Sequence, residues 1–255
     1  MSLPAFSVIT CTRNSEPWLQ EAIASVLMQR GVEVELIFVD GGSNDGTLAR
    51  IEGLRRPYRL IRNERNGISA AMNAGIAAAQ GDIIAHLHSD DFYLRDDTLL
   101  SVARALRASG SRWLFGRTMR CIDGRLLPEG YRAPRYSRRR LLRGNFIPHP
   151  ATFVARELLQ QSGGFDTQLK YAMDYDLWLR LSRLAEPLQL DEPLAAFREH
   201  AGSLSTRERS AAMREDLQVR LAHAGGGPLV RTLHRLRYLV RRQRARLSLP
   251  GATHA

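Results

Sequence analysis

The sequence predicts an α/β fold built on a Rossmann-like, mostly parallel sheet flanked by helices. Apolar runs of strand length alternate with segments of helical period across residues 6–87. That alternation is how a parallel sheet with crossover helices reads. The runs are nearly continuous in apolar residues, as strands covered on both faces are. Acidic or glycine-rich turns follow them, at the strand ends where open α/β sheets bind ligands.

Residues 6–10 read as the first strand. Asn14 or Ser15 then caps a helix with Pro17 in its first turn, and Trp18, Leu19, Ala22, Ile23, Val26 and Leu27 give it an apolar face. Gly31 ends that helix. Residues 34–39 form the second strand, with Asp40 at its tip. A tight loop over 41–46 leads into a helix over 47–54, and residues 58–61 are a short third strand. Asn66-Gly67 is a turn before a helix over 68–79, where Ala70, Ala71, Ala74, Gly75, Ala77 and Ala78 permit close backbone approach. Gly81 stops it, and 82–87 is the fourth strand.

Beyond Asp91 the pattern is sparser. It predicts a helix over 98–108, a hairpin of 112–120 and 121–127 around Asp123-Gly124, a strand at 152–154, helices over 156–162 and 174–184, and a strand at 195–198. Residues 131–143 are rich in Arg and Tyr. Gly225-Gly226-Gly227-Pro228 reads as a linker, and 229–247 as a basic amphipathic helix.

At 255 residues and 44% hydrophobic content the chain can bury a substantial core. No apolar run approaches the roughly 18 residues that a membrane-spanning helix needs. The N-terminal stretch already reads as a strand, so no signal peptide is expected. Two cysteines, Cys11 and Cys121, fit a reducing compartment rather than a disulfide framework. The expected location is therefore cytoplasmic. The net charge is +11 and Lys170 is the only lysine. Arginines cluster at 135, 138, 139, 140 and 143, and seven more lie between 231 and 246 with no acid among them. Such clusters suit anionic partners such as nucleotide phosphates or anionic lipid headgroups. No nucleic-acid-binding module is present, and nucleic acid is not an expected partner.

The chemistry concentrates in Leu87-His88-Ser89-Asp90-Asp91. Adjacent carboxylates at a strand end repel unless a cation joins them, and a hard ion such as Mg²⁺ or Mn²⁺ takes oxygen ligands together with substrate phosphates. A helix cap is the other reading of the same residues. Asp40 before Gly41-Gly42 likewise reads either as a turn-starting residue or as a carboxylate that accepts an N–H from a nucleotide base.

Several motifs occur in a fixed order. They are Ser7-Val8-Ile9-Thr10-Cys11-Thr12-Arg13-Asn14, then Phe38-Val39-Asp40-Gly41-Gly42-Ser43-Asn44-Asp45-Gly46-Thr47, then Asn66-Gly67-Ile68 with Asn73-Ala74-Gly75. Gly81-Asp82 and Ser89-Asp90-Asp91 complete the set. The ordered set resembles the family 2 glycosyltransferases of the GT-A fold over about residues 5–205. The resemblance implies transfer of a sugar, with inversion, from a UDP-, GDP- or dTDP-sugar to a hydroxyl acceptor, aided by Mn²⁺ or Mg²⁺.

The resemblance also divides the chain. Residues 1–205 would be the catalytic domain, with 1–130 the nucleotide-sugar half and 131–205 the acceptor half, and 206–255 a basic helical extension. Asp40 is implied as the base contact, with Thr10, Thr12, Arg13, Asn14, Asn66, Gly67, Asn73, His88 and Ser89 around the donor. Asp90 and Asp91 are the implied metal residues, although His88 stands where the first carboxylate of an Asp-x-Asp motif is common. After Gly163-Gly164-Phe165-Asp166, Tyr171-Ala172-Met173-Asp174 places Met173 at a usual Glu and Asp174 at the catalytic base. His149, between two prolines, is expected to line a sugar pocket. Arg198 and His200 lie in a segment, 198–205, that resembles a loop closing over the donor's diphosphate.

The setting implied is bacterial polysaccharide or glycolipid synthesis with a glycan or lipid-linked acceptor. The departures at His88 and Met173 leave open a relative that binds a nucleotide-sugar without catalysis. The leucines of residues 229–247 suit three arrangements: an anionic membrane surface at the inner face of the cell membrane, packing on the catalytic domain, or the seam of a homodimer.

Overall fold

The structure is a computed structural model that describes residues 3–63, 66–130, 132–200, 208–225 and 227–247, with backbone only at 209 and 244–247. Its centre is one sheet. The expected strands are present as β1 (Phe6–Thr12), β2 (Val34–Asp40), β3 (Tyr58–Arg62) and β4 (Ile83–His86). β1 pairs in parallel with β2 on one side and with β4 on the other, and β3 extends β2 in parallel. The intervening helices are α1 (Glu16–Leu27), α2 (Thr47–Glu52) and α3 (Gly67–Ala78).

Beyond β4 the sheet continues with strands of mixed direction. These are β5 (Phe92–Tyr93), β6 (Trp113–Ile122), β7 (Arg125–Pro128), β8 (Thr152–Ala155) and β9 (Leu188–Glu199). Their order across the sheet is β3-β2-β1-β4-β8-β6-β9-β5, with β7 forming a hairpin on β6. β8 is antiparallel to both β4 and β6, while β9 runs parallel to β6 and antiparallel to β5. The remaining helices are α4 (Thr98–Ser109), α5 (Arg138–Leu141), α6 (Arg156–Ser162), α7 (Met173–Leu184), α8 (Arg209–His223) and α9 (Pro228–Leu247).

Alternation along the strands feeds two apolar layers. Phe6, Val8, Leu36, Phe38, Ile83 and Ala85 face α1 and α4. Ile9, Ile37, Val39 and Ile84 face α3, α6 and α7. The small residues of α3 act as their pattern predicts: a Cβ at Gly75 would come 2.4 Å from Ile9 Cγ2. Gly81 serves the same purpose at the entry to β4, where a Cβ would meet the β1 backbone at 2.7 Å.

Some elements carry little sequence signal. β5 has two residues and α5 four, too short for any period to show. α8 has a weak apolar face, and among its described side chains only Val219 and Arg220 are buried. β9 begins seven residues before the strand expected at 195–198. Asp191, Glu192 and Pro193 break the apolar pattern there, and pairing with β6 across a bulge near Arg117 supplies the order instead.

Candidate active site

The loops after β1 and β2 are stitched together by side chains. Asp40 is 1% exposed, and both its oxygens are occupied. Oδ1 accepts from the Gly42 and Ser43 amides at 3.0 and 2.8 Å. Oδ2 accepts from the hydroxyls of Thr12 at 2.8 Å and Ser43 at 2.6 Å. Burial pushes this carboxyl up, but the bonds from Ser43, Thr12 and Gly42 outweigh it and hold its pKa below the usual value. A carboxylate has about four acceptor positions, and in this structure the loop and Thr12 engage all of them. Asp40 thus braces the turn in this structure, and the expected base N–H would replace one of these bonds.

Asn14 adopts φ 53° and clasps the second loop, its Oδ1 accepting from Asn44 N–H at 2.9 Å while its own N–H donates to Ser43 Oγ at 2.9 Å. Asp45 accepts the amides of Glu16 and Thr47 and so holds the starts of α1 and α2. Thr10 is buried and Arg13 is exposed beside this loop.

Asn73 also differs from expectation. Its Nδ2 donates to the Phe165 carbonyl and its Oδ1 accepts from the Phe165 amide, both at 2.8 Å. It therefore clamps the Gly163–Asp166 turn to α3, using one of its two Nδ2 hydrogens and one Oδ1 lone pair for that clamp. Gly164 has φ 70°, and a Cβ there would come 2.6 Å from Asn73 Oδ1. We expect Asn73→Ala to lower stability by about 1–3 kcal/mol, the cost of leaving buried backbone groups unpaired. Denaturant melts measure this; an unchanged midpoint with weakened nucleotide binding would restore Asn73 to the donor site. Asn66 donates to Asn63 Oδ1 at 2.9 Å, and Gly67 takes φ 80° at the start of α3.

The acidic turn follows β4. Ser89 Oγ donates to Ser15 Oγ at 2.8 Å, tying the turn to α1. The Asp90 side chain is 25% exposed, and its Oδ2 meets His200 Nε2 at 3.0 Å. Asp91 is 1% exposed; Oδ1 accepts the Arg198 amide at 3.0 Å, and Oδ2 has no hydrogen-bond partner among the described residues. Burial and the neighbouring Asp90 charge push the Asp91 carboxyl well up, with Arg198 opposing. Asp91 thus sits behind the turn, away from the solvent side that Asp90 faces, and the expected pair of metal residues is unequal.

Arg198 departs further from its expected diphosphate contact. It is 5% exposed, its Nε donates to the Asp90 carbonyl at 3.0 Å, and its Nη2 pairs with Glu21. The guanidinium stacks over Trp18 at 4.7 Å and Phe92 at 5.3 Å from the ring centroids. A buried arginine that fixes the backbone of the acidic turn is a positioning residue. Residues 201–205 of the same segment lie outside the described residues.

Three imidazoles cluster next to this turn. His88 stacks on His149 with centroids 4.7 Å apart and planes 7° apart. His86 lies 5.7 Å from His149 and meets the Phe165 ring edge-on at 5.1 Å. Burial lowers the pKa of all three, His86 to about 3. They are neutral rings near pH 7, able to stack or share single hydrogen bonds without adding charge.

Asp174 opens α7. Asn145 Nδ2 donates to its Oδ2 at 3.1 Å, and the Tyr175 amide to its Oδ1 at 2.6 Å. Burial raises its pKa to about 6, against these two bonds. The helix start is held firmly: Tyr175 Oη donates to the Leu141 carbonyl at 2.6 Å, and Asp176 is paired with Arg180 and His223 at 2.7 Å each. Asp176 is therefore structural. From α8, Glu215 accepts the amides of Lys170, Tyr171 and Ala172.

Asp174 borders a cavity of about 470 Å³ shared with Thr118, Arg120, Glu129, His149 and Glu199. Arg120 grips Glu199 with two bonds of 2.5 and 2.7 Å. Sequence patterns did not single out Arg120, Glu129 or Glu199, because nothing local distinguishes them from surface charges. The cavity adjoins the acidic turn from two sides. His149 stacks on His88, and Glu199 is the chain neighbour of His200, which meets Asp90.

The profile of Glycosyl transferase family 2 matches residues 7–159. The chain belongs to this family. A glycosyltransferase of Mycobacterium tuberculosis, described as uncharacterised, is 34% identical over 217 residues, 82% of this chain and 80% of that protein. Chondroitin synthase of Pasteurella multocida is 29% identical over 196 residues, 72% of this chain but 19% of the synthase.

Among solved structures, Staphylococcus aureus TarS 1–349 in complex with UDP-GlcNAc superposes with TM-score 0.75 at 20% identity, covering 96% of this chain and 76% of that one. Mannosyltransferase PcManGT of Pyrobaculum calidifontis, in complex with GDP-Man and Mn²⁺, gives 0.65 at 18%, covering 98% and 77%. The family 2 chain thus has the GT-A fold, and it is a glycosyltransferase. Among the described residues no helix is long and apolar enough to cross a membrane.

The donor set of the family 2 site suits a divalent ion. Among the described residues no three His, Cys, Asp or Glu side chains converge into a closed cage. One or two carboxylates with phosphate oxygens and water completing the shell is how Mg²⁺ is held, and the partly exposed Asp90 provides such a start.

Proposed function

We propose that this glycosyltransferase inverts configuration, depends on Mn²⁺ or Mg²⁺, and moves a sugar from a UDP-, GDP- or dTDP-sugar to a hydroxyl of a glycan or lipid-linked acceptor in bacterial polysaccharide or glycolipid synthesis. The observation that carries it is Asp174, a carboxylate with its pKa raised to about 6, at the wall of a cavity that adjoins the Asp90 turn. A base poised near the working pH is what general-base catalysis needs.

In this reading residues 1–130 hold the nucleotide-sugar, residues 131–205 shape the acceptor side, and residues 206–255 form an extension. Thr12, Asn14 and Asp40 brace the walls of the base pocket, with Thr10 and Arg13 beside them. Asn66 and Gly67 begin α3 at the same sheet end. Asp90 would hold the ion, whose positive charge would offset that of the departing diphosphate, while Asp91 and Arg198 fix the turn from behind. Neutral His88 and His149 pack along the sugar, and His200 gives up Asp90 as the donor arrives. The acceptor oxygen bonds the anomeric carbon while Asp174 takes its proton, and the bond to the diphosphate breaks on the opposite face. That geometry inverts the centre.

A thermal-shift panel of UDP, GDP, dTDP and CDP, each with and without Mn²⁺, tests the donor half. A ligand of the native state at a hundredfold excess over Kd adds about 2.7 kcal/mol. One nucleotide that stabilises only with Mn²⁺ is the expected result; no shift with any nucleotide would sink the donor site.

A further inference from the structure

Helix α9 presents two faces, and the face that packs on the protein is not the apolar one. His234 is 5% exposed and lies on the inward side. Arg241 joins it there, its guanidinium lying over Gly144, where a Cβ would come 2.8 Å from Nη1. Burial and the charges of Arg220 and Arg237 push the His234 pKa down, as suits a ring lodged among arginines. The leucines point elsewhere. Leu229, Leu233, Leu236, Leu239 and Val240 are 87%, 46%, 54%, 52% and 50% exposed. At about 100° per residue they form one stripe, turned roughly 130° from the His234–Arg241 side.

Arginines border this stripe. Arg237 falls on one flank and Arg235 and Arg242 on the other, and no acidic residue occurs between 228 and 247. This charge pattern argues against a second copy as the occupant. Two such helices laid stripe to stripe would bring arginine beside arginine, with no carboxylate in either helix to pair with them. An anionic lipid surface matches both features. Leucines enter the headgroup–acyl boundary, and the flanking arginines reach phosphate with their stems still packed on apolar surface.

We propose that α9 docks the enzyme on a membrane surface of anionic lipid through the stripe Leu229, Leu233, Leu236, Leu239 and Val240. No stripe residue lines the cavity at Asp174, so the inference stands or falls without the transfer reaction.

The test uses the full chain with sedimented vesicles, either phosphatidylglycerol with phosphatidylcholine or phosphatidylcholine alone. Expected is binding to the anionic vesicles about tenfold or more above the neutral ones, weakening as salt rises. A Leu233→Ser/Leu236→Ser/Val240→Ser variant should lose that binding about tenfold or more. Its melting temperature should stay unchanged, because the stripe is already exposed. Equal binding to neutral vesicles, no binding to either, or full binding by the triple variant would each overturn the proposal. So would a dimer in analytical ultracentrifugation that the triple variant abolishes, since a second copy would then cover the stripe.

Discussion

Asp174→Asn is expected to abolish transfer while leaving nucleotide binding intact. Removing a general base costs about 10²–10⁴-fold in rate, and the loss should fall on kcat rather than on the donor KM. Asparagine is nearly isosteric and can still accept the Tyr175 amide, so the start of α7 should survive. Calorimetry with nucleotide and Mn²⁺, run beside a transfer assay, separates the two effects. A variant that kept a tenth or more of the activity would remove Asp174 from the base role.

The wild-type pH profile gives a second readout. A base works when ionised, and this carboxyl is held near 6 by burial, so the rate should fall as pH drops through about 6. The same shift acts on the fold with the opposite sense. Between the ordinary carboxylate range and about 6 the folded chain binds more protons at Asp174 than the unfolded chain does, so this group's contribution lowers stability as pH rises through that window.

Asp90→Asn is expected to be nearly as severe for activity and mild for the fold. Losing the ligand charge removes the hold on the ion. The rate should drop by roughly 10²–10³-fold, the scale of losing one preorganised electrostatic contact. The Mn²⁺-dependent part of nucleotide affinity should disappear, and the metal-independent part should remain. Stability should hold or rise, because the Asp90 charge is one of the two causes that push the buried Asp91 carboxyl up. Titration with Mn²⁺ and nucleotide, together with melts of both proteins, reads all three effects. If Asp90→Asn kept its Mn²⁺ response, the ion would have to be held elsewhere.

Much of this protein can be read from local sequence. The strands β1 to β4 and the helices between them follow from apolar period, small residues in α3 and stops at Gly31 and Gly81. α6 matches its expected 156–162 range. The position of Asp174 at a helix start was also legible, since acidic and apolar residues there repeat at helical spacing.

The side-chain roles were less legible, and Asp40, Asn73 and Arg198 show why. Each is a polar residue beside a glycine-rich or acidic motif, which is how a ligand contact looks in one dimension. In space Asp40 spends all four acceptor positions on its own loop and Thr12. Asn73 spends both polar ends on Phe165, 92 residues away. Arg198 turns inward to a turn 107 residues before it. Glu215, which holds the entry to α7, lies in a helix whose pattern is too weak to forecast.

By itself, then, the sequence determined which elements form and in what order, because helical and strand periods and turn residues act over a few neighbours. It also determined that carboxylates would stand at strand and helix ends on one side of a sheet. Only the tertiary structure decided which polar groups are satisfied by the protein and which remain for a ligand. It alone turned the leucines of α9 outward and His234 inward. Those outcomes depend on partners brought together by the sheet, and contacts across tens of residues leave no period along the chain.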